Sequence, residues 1–210
     1  MKYNEDYYER GVEKKISGYE NYRWLESPTL KMCESLINFA GLSKSDKIVD
    51  FGCAKGFLVK AMFLLGYDCV GIDISEYAIE NSDPLIKDRL SLLNEDFYNE
   101  KHDCIICKDV LEHLDYEDLK DVLKKFSNIT KKLVVIIPLG FNGKYIIEEY
   151  ENDITHVIRE DKDWWMKIFS ESGFSELHFS YRVVGIKDNW SNYEKGNGFF
   201  LLRSQNHDEV

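Results

Sequence analysis

The chain has 210 residues, 44% of them apolar and 31% charged, with a formal net charge of −11. That length suits a single domain with a sizeable core, and the balance excludes disordered and fibrous classes. The net acidity repels polyphosphate backbones, so nucleic acid is not an expected partner.

Residues 1–26 carry Tyr3, Tyr7, Tyr8, Tyr19, Tyr22 and Trp24, with Arg10 and Arg23 among them. This aromatic density suggests a flap over a ligand pocket, since aromatic rings hold nucleoside or sugar faces while a polar tip stays wet. Tyr8, Tyr22 and Arg23 are its candidate acceptor contacts; covering an exposed edge of the domain is the alternative reading. The polar start has no signal-peptide apolar region and no stretch nears bilayer-spanning length, so a cytoplasmic location is expected. Ser27-Pro28 reads as N-cap and first residue of a helix carrying Leu30, Cys33, Leu36, Ile37 and Ala40 and ending at Gly41. Strands are expected near 47–51, 68–72, 89–93, 103–107 and 132–137, with helices near 56–65, 75–81 and 115–128 between them. Asp109 with Glu112, and Asp115 with Asp118, have the spacing of reciprocal helix caps. Leu133-Val134-Val135-Ile136-Ile137 suits a strand covered on both faces. After Pro138 a loop is expected to about Glu160, then a helix from Asp161 with Trp164, Trp165, Ile168 and Phe169, then strands at 174–181 and 198–202.

This alternation predicts an α/β fold, a doubly wound and mostly parallel sheet that binds ligands at strand C-termini. The acids Asp50, Asp73, Asp96 and Asp109 all fall at such ends. Five cysteines in no framework spacing suit a reducing compartment. Cys104 and Cys107 form C-x-x-C inside a strand, where residues three apart face opposite ways, so they are expected to be buried and inert.

The most informative run is Ile48-Val49-Asp50-Phe51-Gly52-Cys53-Ala54-Lys55-Gly56-Phe57. A strand ends on an acid, turns through glycines and opens a helix, which makes a pocket for a small polar ligand. A dinucleotide turn, G-x-G-x-x-G, would need glycines at Ala54 and Phe57, and no G-K-[ST] follows Lys55. A nucleoside without phosphates remains. Val70-Gly71-Ile72-Asp73 is a second strand ending in an acid, placed for a ribose hydroxyl pair.

Asp50-Phe51-Gly52-Cys53-Ala54-Lys55-Gly56 resembles the first motif of class I S-adenosylmethionine-dependent methyltransferases, D-x-G-x-G-x-G, with Ala54 in place of the middle glycine. The resemblance puts Asp73, with Ile74 beside it, on the adenosyl ribose, and Asp96 with Phe97 at the adenine. Cys107-Lys108-Asp109-Val110-Leu111-Glu112-His113-Leu114 resembles the D-V-L-E-H-L segment beneath the methionine end. The implied cofactor is S-adenosylmethionine, held by Asp50, Gly52, Cys53, Ala54, Gly56, Asp73, Ile74, Asp96, Phe97, Lys108 and Asp109. The family also implies a seven-stranded sheet whose last strand inserts antiparallel. His113 is expected to pack or bond locally.

Asn152-Asp153-Ile154-Thr155-His156-Val157 resembles the D-x-T-H segment of small-molecule and sugar methyltransferases, which are followed by an aromatic helix such as Trp164-Trp165. His156 has the chemistry of a general base for an attacking hydroxyl, with Asp153 holding its tautomer; holding the loop through Asp153 or backbone is its structural alternative. Asp153 and Trp164 complete the expected acceptor side. No metal is expected, because no histidine–carboxylate set has compact spacing along the chain. The favoured activity is O-methylation of a small or carbohydrate-like acceptor, as in cell-surface polysaccharide assembly. Methylation of a nitrogen or oxyanion of another metabolite is the alternative, and a non-catalytic cofactor-binding regulator is the alternative of another class. The whole chain is read as one domain: flap 1–26, cofactor core 27–138, substrate loop and last strands 139–210. The oligomeric state is left open.

Overall fold

In the computed structural model, which describes residues 2–207, strands and helices alternate through the first two thirds of the chain. Two short helices, α1 (Glu5–Glu9) and α2 (Gly11–Lys14), precede α3 (Glu26–Ala40). The alternation then runs β1 (Ile48–Phe51), α4 (Phe57–Leu64), β2 (Cys69–Asp73), α5 (Glu76–Glu80), β3 (Leu90–Leu92), β4 (His102–Lys108), α6 (Tyr116–Ile129) and β5 (Thr130–Pro138). A small hairpin, β6 (Gly140–Phe141) and β7 (Lys144–Tyr145), leads to α7 (Lys162–Glu171), β8 (Phe174–Ser180) and β9 (Asn197–Ser204).

The main sheet has the order β3-β2-β1-β4-β5-β9-β8. Its first five strands are parallel, and β9 inserts antiparallel to both β5 and β8. This is the expected seven-stranded, mostly parallel α/β sheet. The chain winds outward from β1 to β3, then returns to place β4 on the other side of β1. The crevice beyond the C-terminal ends of β1 and β4 is therefore the switch point where such folds bind ligands.

One core packs on each face of the sheet. Phe51, Ile105, Cys107, Phe126, Val135 and Trp165 share one face, and Ile48, Met62, Cys104, Ile106, Val134 and Phe199 share the other. Cys104 and Cys107 thus face opposite ways, and both are fully buried free thiols. Among the described residues no helix is long and apolar enough to cross a membrane.

Three local expectations are corrected. Ser27 is not the N-cap: α3 starts one residue earlier, with Leu25 at the cap and no side-chain cap bond. Pro28 is tolerated there because the first-turn N–H groups lack helical partners anyway. Neither acidic pair forms a capping box: Asp115 caps α6 without a side-chain bond, and Asp109 lies outside any helix at φ +57°. The segment 140–160 is more ordered than a loop, holding β6, β7 and a 3₁₀ turn over Glu148–Asn152.

Candidate active site

Beyond β1 the chain turns so tightly that side chains are excluded or strained. Gly52 sits at φ +79°, and a Cβ there would lie 2.4 Å from Val110 Cγ2. Ala54 also adopts the left-handed region, at φ +50°. For a residue with a Cβ that conformation costs on the order of 1 kcal/mol. The Ala54 N–H donates to Asp73 Oδ2 at 2.7 Å, and the Ser75 N–H donates to Asp73 Oδ1 at 2.8 Å. Asp73 therefore ties the ends of β1 and β2 together. Burial pushes its carboxyl above the ordinary range, while the amides of Ser75, Ala54 and Ile74 pull the other way.

A cavity of about 300 Å³ opens over this turn. Gly52, Ala54, Asp73 and Asp109 form its floor, and Ile74, Leu93, Tyr98, Leu114 and Val122 form an apolar end. Tyr3, Tyr7, Tyr8 and Tyr19 roof it. A second hollow of about 330 Å³ shares Gly52, Ala54 and Asp109, and adds Asp50, Cys53, Lys108, Tyr22 and Arg23. The pair forms a trough along the strand ends, with an apolar slot, a carboxylate at mid-length and a charged end. Adenine, ribose and the methionine portion of S-adenosylmethionine match these in order, so the residues present fit that cofactor. A larger groove of about 650 Å³, around Phe141, Lys162 and Tyr193, contains none of the strand-end acids.

The N-terminal segment is clasped to this trough. Lys55 Nζ pairs with Glu9 at 2.5 Å and donates to the Tyr22 carbonyl at 3.0 Å. Ser75 Oγ donates to the Tyr3 carbonyl, and Tyr7 Oη donates to Asp153 Oδ2 at 2.7 Å. Tyr8 is buried beside Tyr77, Tyr19 and Tyr22.

Several expected contacts are placed differently. Phe97 is core, stacked on His102 and packed against Phe51 and Phe126, while Tyr98 lines the cavity in its place. Asp96 is exposed, outside the cavity wall. The 3₁₀ turn Glu95–Asn99 sends residues 96 and 97 away from the slot. Gly56 lines neither hollow: a Cβ there would strike Leu90 and Ile86, and its φ is +76°. Trp164 stands edge-on to Tyr116 and Trp165, outside both hollows. Asp153 does not hold His156. Its carboxylate is taken by Tyr7, by the Thr155 N–H at 2.9 Å and by Thr155 Oγ1 at 2.5 Å.

The charged end is built around Asp109. Lys108 Nζ lies 2.5 Å from Asp109 Oδ2, and Lys187 pairs with Oδ1. Burial pushes the Asp109 carboxyl up, but the two ammonium groups outweigh it and hold it well below the ordinary range. Lys187 arrives from the β8–β9 connection and also donates to Tyr150 Oη at 2.9 Å and Asn197 Oδ1 at 3.0 Å. Asp50, 5% exposed, is pushed up to about 7 by burial, with Lys108 opposing and Asp73 adding to the rise.

Next to Asp109 the 3₁₀ turn Leu111–His113 carries a buried acid and an imidazole. Glu112 is fully buried with neither carboxylate oxygen hydrogen-bonded, and its pKa is pushed up to about 8 by burial and by Asp109. The His113 and His156 ring centroids are 4.5 Å apart. His156 Nδ1 lies 2.8 Å from the Tyr150 carbonyl, which can only accept, so the proton sits on Nδ1 and Nε2 keeps its lone pair. Burial lowers the pKa of both imidazoles, that of His113 to about 4 with His156 adding to the fall. The expectation that no histidine–carboxylate set is compact concerned spacing along the chain; in space one such set does come together. One donor atom each from Glu112, His113 and His156 lie within 4.8 Å of one another, brought together by chain segments 43 residues apart.

Residues 24–177 match the model of a methyltransferase domain family, which is most of the chain. The protein belongs to that family. It is a class I S-adenosylmethionine-dependent methyltransferase. No curated protein matches the chain. Solved structures give the same fold at low identity. A methyltransferase from Archaeoglobus fulgidus superposes with a TM-score of 0.64 at 16% identity, over 85% of this chain and 95% of that one. The magnesium protoporphyrin IX methyltransferase of Synechocystis PCC 6803 with bound SAH gives 0.61 at 15%, over 92% and 87%. Mitomycin 7-O-methyltransferase MmcR gives 0.60 at 17%, over 85% of this methyltransferase but only 54% of that longer chain.

Proposed function

We propose that this methyltransferase moves the methyl group to a hydroxyl oxygen of a small, ring-bearing acceptor, with carbohydrate-like molecules the first class to try. The observation that carries the reading is the bare Nε2 of His156, in a polar cluster whose other imidazole, His113, lines the cofactor cavity. S-adenosylmethionine, when bound, supplies an electrophilic methyl group on a sulfonium centre. A hydroxyl that attacks carbon must shed its proton, and an imidazole held neutral by burial can take it at Nε2. Proton acceptance there develops a cation, which the nearby Asp153 and Asp109 carboxylates favour. The tyrosine roof would align the acceptor's ring face and exclude water from the reacting atoms. MmcR, by its name a 7-O-methyltransferase, shares the fold and is consistent with an oxygen acceptor.

The test is adenosylhomocysteine release with a panel of sugars, phenols and amines, run on wild type and His156→Ala. General-base loss typically lowers rate on the order of 10²–10⁴-fold, so turnover should fall at least about a hundredfold with cofactor affinity within about threefold. The acidic limb of the wild-type rate should lie below pH 6.5, since burial lowers the imidazole pKa. Methylation confined to amines, indifferent to His156→Ala, would replace this reading with nitrogen methylation.

A further inference from the structure

The cluster beside the cavity has the makings of a metal centre. Thr155 Oγ1 donates its single proton to Asp153 Oδ1 at 2.5 Å, so at 2.8 Å from His113 Nδ1 it can only accept. His113 is thereby fixed with its proton on Nδ1 and its Nε2 bare. His156 is fixed the same way by the Tyr150 carbonyl. Metal-binding histidines are oriented in this manner, the far ring nitrogen donating to an oxygen that sets tautomer and direction. Glu112 adds a fully buried carboxyl group with two unpartnered oxygens, a cost that a bound cation would relieve.

We propose that Glu112, His113 and His156 bind a divalent transition-metal cation of the zinc type through one carboxylate oxygen and two Nε2 atoms. Two imidazoles and a carboxylate suit such an ion better than magnesium or calcium, and three protein ligands leave a position open. Ligands about 2.0–2.2 Å from a tetrahedral centre lie about 3.3–3.6 Å apart. The present 4.8 Å envelope therefore has to contract by about 1.2–1.5 Å on binding. His113 lines the cavity, so the cluster adjoins the trough. This inference rests on the oxygen-acceptor reading for its purpose. The cation would lower the pKa of an acceptor hydroxyl at the open position, so that its proton is lost to water as the acceptor binds, before the oxygen lone pair forms the O–C bond and the S–C bond breaks. The His156 imidazole then serves as ligand, and this route replaces proton acceptance at Nε2 while leaving the oxygen acceptor unchanged.

The experiment strips the whole protein with chelator and titrates it with Zn²⁺ by calorimetry and with Co²⁺ by visible absorption. The expected result is one ion per chain, with a Co²⁺ spectrum of low coordination number. Glu112→Gln and His113→Ala should each weaken Zn²⁺ binding by about a hundredfold or more, and Thr155→Val by about 10–100-fold through the lost orientation of His113. His178→Ala, an exposed histidine outside the cluster, should bind as wild type. Adenosylhomocysteine binding retained by Glu112→Gln shows that the variant is folded. Absence of Zn²⁺ and Co²⁺ binding, or binding unmoved by Glu112→Gln in folded protein, overturns the proposal. If stripped enzyme still methylates hydroxyls and loses that activity in His156→Ala, the metal proposal falls while the oxygen-acceptor reading stands. If Zn²⁺ binds as described but only amines are methylated, the metal site stands and the acceptor reading falls.

Discussion

Lys187→Met removes an ammonium that joins three parts of the site while keeping a stem of similar length. The side chain is 9% exposed, pairs with Asp109, and donates to Tyr150 Oη and Asn197 Oδ1. Breaking a buried pair by deleting one partner typically costs about 3–5 kcal/mol. Lys108 remains on the other Asp109 oxygen, so the expected loss is smaller, about 2–3 kcal/mol at pH 7. In a domain of this size that lowers Tm by roughly 4–12 °C. The pH dependence has a definite sign. Asp109 is held below its ordinary value in the folded protein, so its stabilisation is fully present above the unfolded carboxylate pKa, near 4, and fades as pH falls through the lower folded value. Urea unfolding at pH 7 and pH 3 should therefore show a gap between wild type and variant that narrows in acid. A loss under about 1 kcal/mol at pH 7, or one unchanged at pH 3, would refute this reasoning.

Asp73→Ala should weaken S-adenosylmethionine binding by roughly tenfold or more, since charge-assisted hydrogen bonds to ribose are worth about 1.5–3 kcal/mol; unchanged affinity in calorimetry would move the ribose elsewhere. Ala54→Gly should raise stability by up to about 1 kcal/mol by relieving the left-handed strain, and a lower Tm would show that the turn is not strained. Asp50→Asn should stabilise the cofactor-free protein more at pH 8 than at pH 5. The wild-type carboxyl, pushed up to about 7, is ionised at pH 8 in both states but costly only when folded; an equal Tm shift at both pH values would count against that. Tyr7→Phe should loosen the N-terminal segment, read as faster amide exchange across residues 3–22, because the Tyr7–Asp153 bond anchors it. Exchange identical to wild type would mean the other clasps suffice.

Much of this was legible in the chain because it is local. The β-branched runs, the glycines around the first turn and the strand-end acids at Asp50, Asp73 and Asp109 specify the sheet and the floor of the trough within short windows. Phe97 and Tyr98 show where local reading fails. They are adjacent aromatics after a short strand, and the pitch of the 3₁₀ turn alone decides which one faces core and which faces cavity. Lys187 was hidden for a different reason. It reaches Asp109 across 78 positions, from an irregular connection whose path depends on where β9 inserts. Glu112 and His113 sat in plain view in the D-V-L-E-H-L segment, yet their partner His156 and the Thr155 bond that orients His113 come together only through the fold. A buried acid flanked by histidine, followed by D-x-T-H downstream, was the available signal.

The most direct test of the account is calorimetric titration of the protein with adenosylhomocysteine, comparing wild type with Asp73→Ala, Tyr98→Ala and Trp164→Ala. If the trough beyond β1, β2 and β4 holds the cofactor, wild type binds one equivalent. The Asp73 and Tyr98 variants then each weaken binding about tenfold or more, as expected from a lost charge-assisted bond or a lost aromatic wall. Trp164→Ala leaves binding unchanged. Affinity that ignores Asp73 and Tyr98, or that collapses with Trp164, would contradict that placement.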